Sequence, residues 1–127
     1  MIHATIRMLI PPKRRGEVME ILSSLSERSR FEPGCIGSRV YQDVEVEPAI
    51  LVEQLWKSGE DLERYLRSEE FRKVLLVVEM AVEPPEIRFD AISHSTGFET
   101  IEKARRSLQN GERSCLTVAA LKMDLRP

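Results

Sequence analysis

The sequence predicts an α+β fold with the element order β-α-β-β-α-β and a four-stranded antiparallel sheet. Three observations lead to this prediction. Apolar residues alternate in the segments that would form strands, they recur at helical spacing between those segments, and proline or glycine separates one segment from the next. The 127 residues, with a mass of 14.6 kDa, are enough for one compact domain that folds without a metal or a disulfide.

The first strand and the first helix are predicted from a change of period at Pro11. Residues 2–10 place an apolar side chain at every second position, which is typical of a strand. Pro11 and Pro12 end this strand because neither has an N–H for the ladder, and Pro12 also suits the first turn of a helix. The helix that follows carries a stripe at helical spacing, formed by Val18, Ile21, Leu22, Leu25 and Ser29.

A hairpin and a second helical region are predicted next. Cys35–Val44 and Ala49–Lys57 contain good strand formers, and the acidic turn Asp43–Pro48 joins them. Ser58 and Asp61 have the spacing of a capping box and predict a helix start. Ser68 has the character of a second N-cap, so the region is either one bent helix or two helices.

The last predicted elements lie on either side of Gly97. A fourth strand is expected from Ile87 to about Ser95. Residues 1–97 therefore form a ferredoxin-like domain, and residues 98–127 form an extension expected to pack on the domain or on a partner subunit. In the extension, a helix is expected from Phe98 to Asn110-Gly111, and Ser114–Leu125 is either helix or strand.

The sheet of such a fold has helices on one face only, so its other face needs a partner. Leu51 and Leu55 alternate with Ile50 and Val52, which puts apolar residues on both faces of the predicted third strand. An apolar face without a helix layer is best covered by a second subunit. The sequence therefore predicts a homodimer.

Composition and charge exclude several classes of protein. Hydrophobic residues make up 42% and charged residues 31%, and the net charge is −2, which does not favour nucleic acid as a partner. No apolar run reaches the roughly 18 residues of a membrane span. The first residues do not read as a secretion signal, and the two cysteines, Cys35 and Cys115, read as reduced thiols, so a cytoplasmic location is expected. His3 and His94 have no metal-ligand spacing, and no metal site is expected.

One motif resembles a known family. The run Glu53-Gln54-Leu55-Trp56-Lys57-Ser58 is followed by a helical pattern formed by Leu62, Tyr65-Leu66, Ser68 and Phe71. Together they resemble the antibiotic biosynthesis monooxygenase domain, a family of small dimeric α+β barrels with an acid and a tryptophan at the end of the third strand. The Pro33-Gly34-Cys35 turn agrees with this resemblance.

The resemblance implies a range of activities. Members of the family include cofactor-independent oxygenases of anthrones and quinols, haem-degrading enzymes and proteins with no assigned reaction. The helix position that usually holds histidine is Tyr65 here, which argues against a haem ligand, and no cofactor is expected. In a regular strand, Gln54 lies on the same face as Trp56 and Glu53 lies on the opposite face. A bulge near Leu55 would instead bring Glu53 to the face of Trp56.

These residues give the candidate site. Trp56 would stack on a flat substrate in a pocket between helices and sheet, and Tyr65 would donate its proton to a substrate oxygen. Whichever of Glu53 and Gln54 faces inward would assist, and a buried Glu53 would have the raised pKa of a general base. The hypothesis is a cofactor-independent monooxygenase acting on an aromatic phenol or quinol, with Tyr65 and Glu53 catalytic and Trp56 and Gln54 binding substrate. The alternative is a non-catalytic small-molecule binding or interaction protein, with Trp56 and Tyr65 as structural residues.

Overall fold

Four strands and four α-helices lie in residues 1–108, the part of the chain that this computed structural model describes. The strands are β1 (Ile2–Leu9), β2 (Cys35–Gln42), β3 (Ala49–Trp56) and β4 (Glu86–Ala91). The helices are α1 (Arg15–Ser29), α2 (Gly59–Leu66), α3 (Glu69–Val78) and α4 (Phe98–Leu108). The chain divides into two compact units, Met1–Ser93 and a second unit that begins at His94. The first unit confirms the predicted ferredoxin-like α+β fold.

The sheet is antiparallel throughout and has the strand order β2-β3-β1-β4. β1 lies in the middle, where Ile6 pairs with Val52 of β3 on one side and with Ile87 of β4 on the other. β2 is an edge strand, and its register with β3 shifts between Cys35 and Gly37. Ile36 is therefore the extra residue of a bulge in β2.

The alternation in β1 and β3 decides which side chains the helices cover. Ala4, Ile6 and Met8 of β1 are buried, and the residues between them are only partly so. A short 3-10 turn at Pro12–Arg14 leads into α1, whose stripe packs on this face with Val18, Leu22, Leu25, Ser26 and Ser29 buried. Buried residues of α3 pack with those of α1 against Ile6 and Met8, and buried residues of α2 pack against Ala4 and Trp56 on the same face. All three helices therefore cover one face of the sheet.

Two separate helices follow β3. The side chain of Ser58 accepts a hydrogen bond from the backbone N–H of Asp61 at 3.2 Å, and that of Ser68 accepts one from Phe71 at 3.2 Å. Each serine therefore caps its own helix, which decides between one bent helix and two. The turn between α2 and α3 places Tyr65, near the end of α2, against Phe71 at the start of α3.

The face of the sheet opposite α1, α2 and α3, which we call the open face, is more polar than the sequence predicted. Leu51 and Leu55 lie there, half-buried, as expected. They are interleaved with charged side chains, because β1 presents Arg7 to this face, within 4.0 Å of Asp43 and 3.6 Å of Glu86. The face thus combines leucines with paired charges.

The fourth strand is shorter than predicted and ends at Ala91 rather than near Ser95. Its ladder with β1 runs out because β1 begins at Ile2, the partner of Ala91, and one more bond joins the N–H of Ile92 to the carbonyl of Met1. The division expected after Gly97 stays a prediction. The helix end expected at Asn110-Gly111 and the element expected at Ser114–Leu125 lie outside the described residues.

Candidate functional site

Trp56, Gln54 and Tyr65 come together on the helix side of the sheet. Gln54 and Trp56 are two residues apart on β3 and so point to the same side, and Tyr65 reaches them from α2. The rings of Trp56 and Tyr65 stack with a centroid distance of 4.9 Å, and Phe71 meets Tyr65 edge-on at 5.5 Å. Trp56 is fully buried and Tyr65 is 3% exposed, so this is a closed aromatic stack.

Gln54 is the centre of a buried hydrogen-bond network. Its side-chain oxygen accepts a bond from the indole Nε1–H of Trp56 at 3.2 Å. Its Nε2 lies 3.2 Å from the hydroxyl of Ser29, 3.2 Å from that of Ser38 and 3.5 Å from that of Tyr65. These five side chains are called the Gln54 cluster below.

The sequence analysis did not identify the serines of this cluster as candidate site residues. Ser29 donates to the carbonyl of Ser26 at 2.8 Å, and the hydroxyls of Ser26 and Ser38 are 2.8 Å apart. All three are buried, and each has a hydrogen-bond partner, as buried hydroxyls normally do. In the sequence, Ser29 could have indicated this network, because it is a polar residue on the apolar stripe of α1.

Tyr65 has a proton to give. Burial raises the pKa of its hydroxyl above the ordinary value, and the hydrogen bond from Gln54 lowers the pKa by less, so the phenol is neutral at physiological pH. The hydroxyl accepts from Gln54 at 3.5 Å, and within residues 1–108 it makes no hydrogen bond as a donor. A buried donor without an acceptor is a group that a ligand oxygen can satisfy.

Glu53 lies on the open face, away from the other three predicted site residues. The register of β3 with β1 is regular from Ala49 to Trp56, so the bulge considered near Leu55 is not there. Oε2 of Glu53 accepts from Nε2 of His3 at 2.9 Å, and Oε1 accepts from the hydroxyl of Tyr41 at 3.1 Å.

The electrostatics of Glu53 are the reverse of those expected for a buried base. The hydrogen bond from His3 lowers the pKa of the Glu53 carboxyl, and the bond from Tyr41 adds to this against a smaller opposing effect of burial. Glu53 is therefore a stabilised carboxylate. The raised pKa that burial would have given is not found.

Four clefts of the first unit lie away from the aromatic stack. The largest of four, of about 470 Å³, runs between α1 and α3 and is lined mainly by apolar side chains such as Leu25, Leu76 and Met80. The next, of about 300 Å³, lies beside β2. Trp56, Gln54 and Tyr65 line none of these four. Because Trp56 is fully buried and Tyr65 is only 3% exposed, a pocket with both side chains at its wall requires their stack to open.

A metal-ligand cluster and a membrane-spanning helix are both absent from residues 1–108. No three side chains of His, Cys, Asp or Glu gather there as a metal site would require. None of the helices in this part of the chain is long and apolar enough to cross a bilayer.

Several solved structures share this fold. A conserved protein from Methanosarcina mazei Go1 is 28% identical, with a TM-score of 0.66 over 70% of this chain and 89% of that one. A proposed antibiotic biosynthesis monooxygenase from Deinococcus radiodurans is 13% identical, with a TM-score of 0.70 over 76% and 97%. Rv0793 from Mycobacterium tuberculosis is 16% identical, with a TM-score of 0.67 over 76% and 98%.

Sequence comparison gives the family. No curated protein matches the chain at a significant level. The family model described as antibiotic biosynthesis monooxygenase matches residues 1–75, which is more than half of the 127 residues and contains every member of the Gln54 cluster. The chain therefore belongs to the antibiotic biosynthesis monooxygenase family.

Proposed function

We propose that this protein is a cofactor-independent monooxygenase that oxidises a small aromatic phenol or quinol at the Gln54 cluster. The observation that carries the proposal is the hydroxyl of Tyr65, a buried neutral donor whose proton has no acceptor in residues 1–108. A phenolate oxygen is a suitable acceptor for it, because a hydrogen bond to a charged oxygen is stronger than one to a neutral group. Family membership supports the same reaction class.

The proposed reaction balances without an external reductant. A phenolate gives an electron pair to O2, and a carbon–oxygen bond forms at a ring carbon that carries hydrogen. The O–O bond of the resulting peroxide then breaks, the ring proton passes to the departing oxygen, and the products are a quinone and hydroxide. Tyr65 would hold the phenolate oxygen, and Gln54 would fix the position of the indole and the phenol relative to each other.

Substrate entry would open the aromatic stack. Trp56 and Tyr65 already pair face to face, so a flat ring would take the place of one of them beside the other. The edge contact of Tyr65 with Phe71 is the neighbouring packing that has to give way. Glu53, on the open face and already bonded to His3 and Tyr41, has no part in this proposal.

The test is oxygen consumption with hydroquinone as the first substrate. Tyr65→Phe removes the donor and keeps the ring, so we expect kcat to fall at least about tenfold with a smaller change in KM. Tyr41→Phe is the matched control, since the other tyrosine of the chain lies on the open face, and its rate should equal the wild-type rate. Equal rates in wild type and Tyr65→Phe would remove Tyr65 from the mechanism.

The alternative function is a non-catalytic small-molecule binding or interaction protein. The closed stack favours it, because Trp56 is fully buried and its hydrogen bond is already made. Fluorescence separates the two proposals, since Trp56 is the single tryptophan of the chain. Saturable quenching by a phenol without oxygen uptake would favour binding alone.

A further inference from the structure

We propose that a cleft beside the sheet edge binds a small ligand through a phosphate or carboxylate group. The cleft has a volume of about 300 Å³, at the lower end of the range for small-molecule sites. Its walls are the C-terminal half of α1 and the edge strand β2, and its cations are Arg30 and Arg39. We call it the Arg30–Arg39 cleft. It is independent of the proposed monooxygenase reaction.

Neither guanidinium group of the cleft has an acidic side chain within 4.0 Å in residues 1–108, although Arg39 lies opposite Glu53 in the β2–β3 ladder and its charge helps to lower the pKa of that carboxyl. Eight other arginines in residues 1–108 lie within 4.0 Å of an acidic side chain, namely Arg7, Arg14, Arg15, Arg28, Arg64, Arg67, Arg72 and Arg88. Arg30 and Arg39 make no such ion pair in the described part of the chain. Glu27 is the one carboxylate among the lining residues of the cleft, which include the two arginines.

Arg30 is held in place with its binding groups free. Its Nε donates to the backbone carbonyl of Ser38 at 3.0 Å, which ties the side chain across from α1 to β2. That bond leaves both terminal NH2 groups of the guanidinium, the part of arginine that matches the two oxygens of a carboxylate or phosphate. An arginine fixed in this way loses little entropy when it binds.

The floor and wall of the cleft provide neutral contacts. Ser26 lines the cleft although it is only 4% exposed, and its hydroxyl is bonded to Ser38. Ser23, one turn earlier on α1, adds a second hydroxyl, and Val40 with Tyr41 forms a less polar wall. The arrangement therefore suits a small molecule with an oxyanion at one end, such as a phosphate ester or an aromatic carboxylate.

The test is a titration of the full-length chain followed by the Nε–H resonances of its arginines. The probes are inorganic phosphate and phthalate, each at constant ionic strength maintained with sodium chloride. We expect saturable shifts at Arg30 and Arg39 with one probe or both. Saturation by phosphate alone assigns the site to phosphate, and saturation by phthalate alone assigns it to carboxylate.

Variants distinguish a specific site from general attraction between charges. Arg30→Gln and Arg39→Gln should each weaken the affinity at least about tenfold, since each removes charge-assisted hydrogen bonds. Arg67→Gln is the matched control, because it removes the same charge from an exposed residue at the end of α2 and should leave the affinity unchanged. Shifts that rise linearly with either probe, or equal affinities in all three variants, would overturn the proposal. Since oxygen uptake is not measured, failure here leaves the monooxygenase proposal standing.

Discussion

The indole Nε1–H of Trp56 donates a hydrogen bond to the side-chain oxygen of Gln54 at 3.2 Å, two residues earlier on the same face of β3. This bond fixes the orientation of the amide, so that its nitrogen points to the hydroxyls of Ser29 and Ser38. Both β3 side chains are more than nine-tenths buried, where an unmade hydrogen bond costs most. Gln54 is thus a structural centre as well as a candidate site residue.

Gln54→Leu should therefore destabilise the fold. The substitution leaves the indole N–H without its acceptor and the serine hydroxyls without their donor, and we expect a loss of about 1–3 kcal/mol in the free energy of unfolding. Urea unfolding followed by circular dichroism measures it. Gln42→Leu, at an exposed position of β2, is the control and should change stability by less than about 0.5 kcal/mol. Equal stabilities of the two variants would contradict this account.

Gly34→Ala should also destabilise the fold, for a steric reason. Gly34 has a φ of 83°, and a Cβ there would overlap the carboxylate group of Asp61 in the first turn of α2. We expect a loss of at least about 1–2 kcal/mol, the usual cost of a left-handed conformation for a residue with a Cβ. Gly16→Ala in α1 is the opposite case, because a Cβ there meets nothing within 4 Å and helix propensity favours alanine. A Gly34→Ala protein as stable as wild type would refute this reading.

Much of the fold was predictable from local patterns. Alternation from Ile2 gave β1, and the cap residues Ser58 and Ser68 lie where helices begin. The end of β4 was not predictable, because it depends on where its partner strand starts. The last ladder pair joins Ala91 to Ile2, and Ile92 then donates one backbone hydrogen bond to Met1. The sequence pattern alone continued the strand to Ser95.

The candidate site was predictable only in part. The period of a strand, counted from Trp56, put Gln54 on the inner side, and the structure has it there. The bulge lies instead in β2, where Ile36 beside Gly37 is the extra residue. The serines of the Gln54 cluster come together through contacts between α1, β2 and β3, such as that of Ser29 with Gln54. No local sequence pattern predicts such contacts.

Glu53 should stabilise the folded protein at neutral pH and lose this contribution in acid. Its pKa is lowered in the folded protein, chiefly by the hydrogen bond from His3, so the unfolded chain binds the proton more readily. The contribution is present above the unfolded pKa, ordinarily 4.5, and is lost as the pH falls from there through the folded pKa. Melting temperatures measured from neutral pH to about pH 3 should thus fall less steeply for Glu53→Gln than for wild type.

Glu83→Gln is the control for the effect of pH. It removes one carboxyl from an exposed position between α3 and β4 that takes part in no ion pair of the described residues. Its melting temperatures should follow the wild-type curve, displaced by a constant amount at most. If Glu53→Gln also followed the wild-type curve, the hydrogen bonds from His3 and Tyr41 would not stabilise the folded protein.

The last prediction concerns the open face. Leu51 lies there opposite Arg7, which is paired with Asp43 and Glu86, and Leu55 lies opposite His3, which is bonded to Glu53. A face of leucines between paired polar groups can pack on a second copy of itself. We expect light scattering at micromolar concentration to give the mass of two chains of 14.6 kDa. Leu55→Asp should yield the mass of one chain, because it buries an unpaired carboxylate in the interface. Leu76→Asp, on the outer side of α3, should remain a dimer. A wild-type mass of one chain would rule out the dimer.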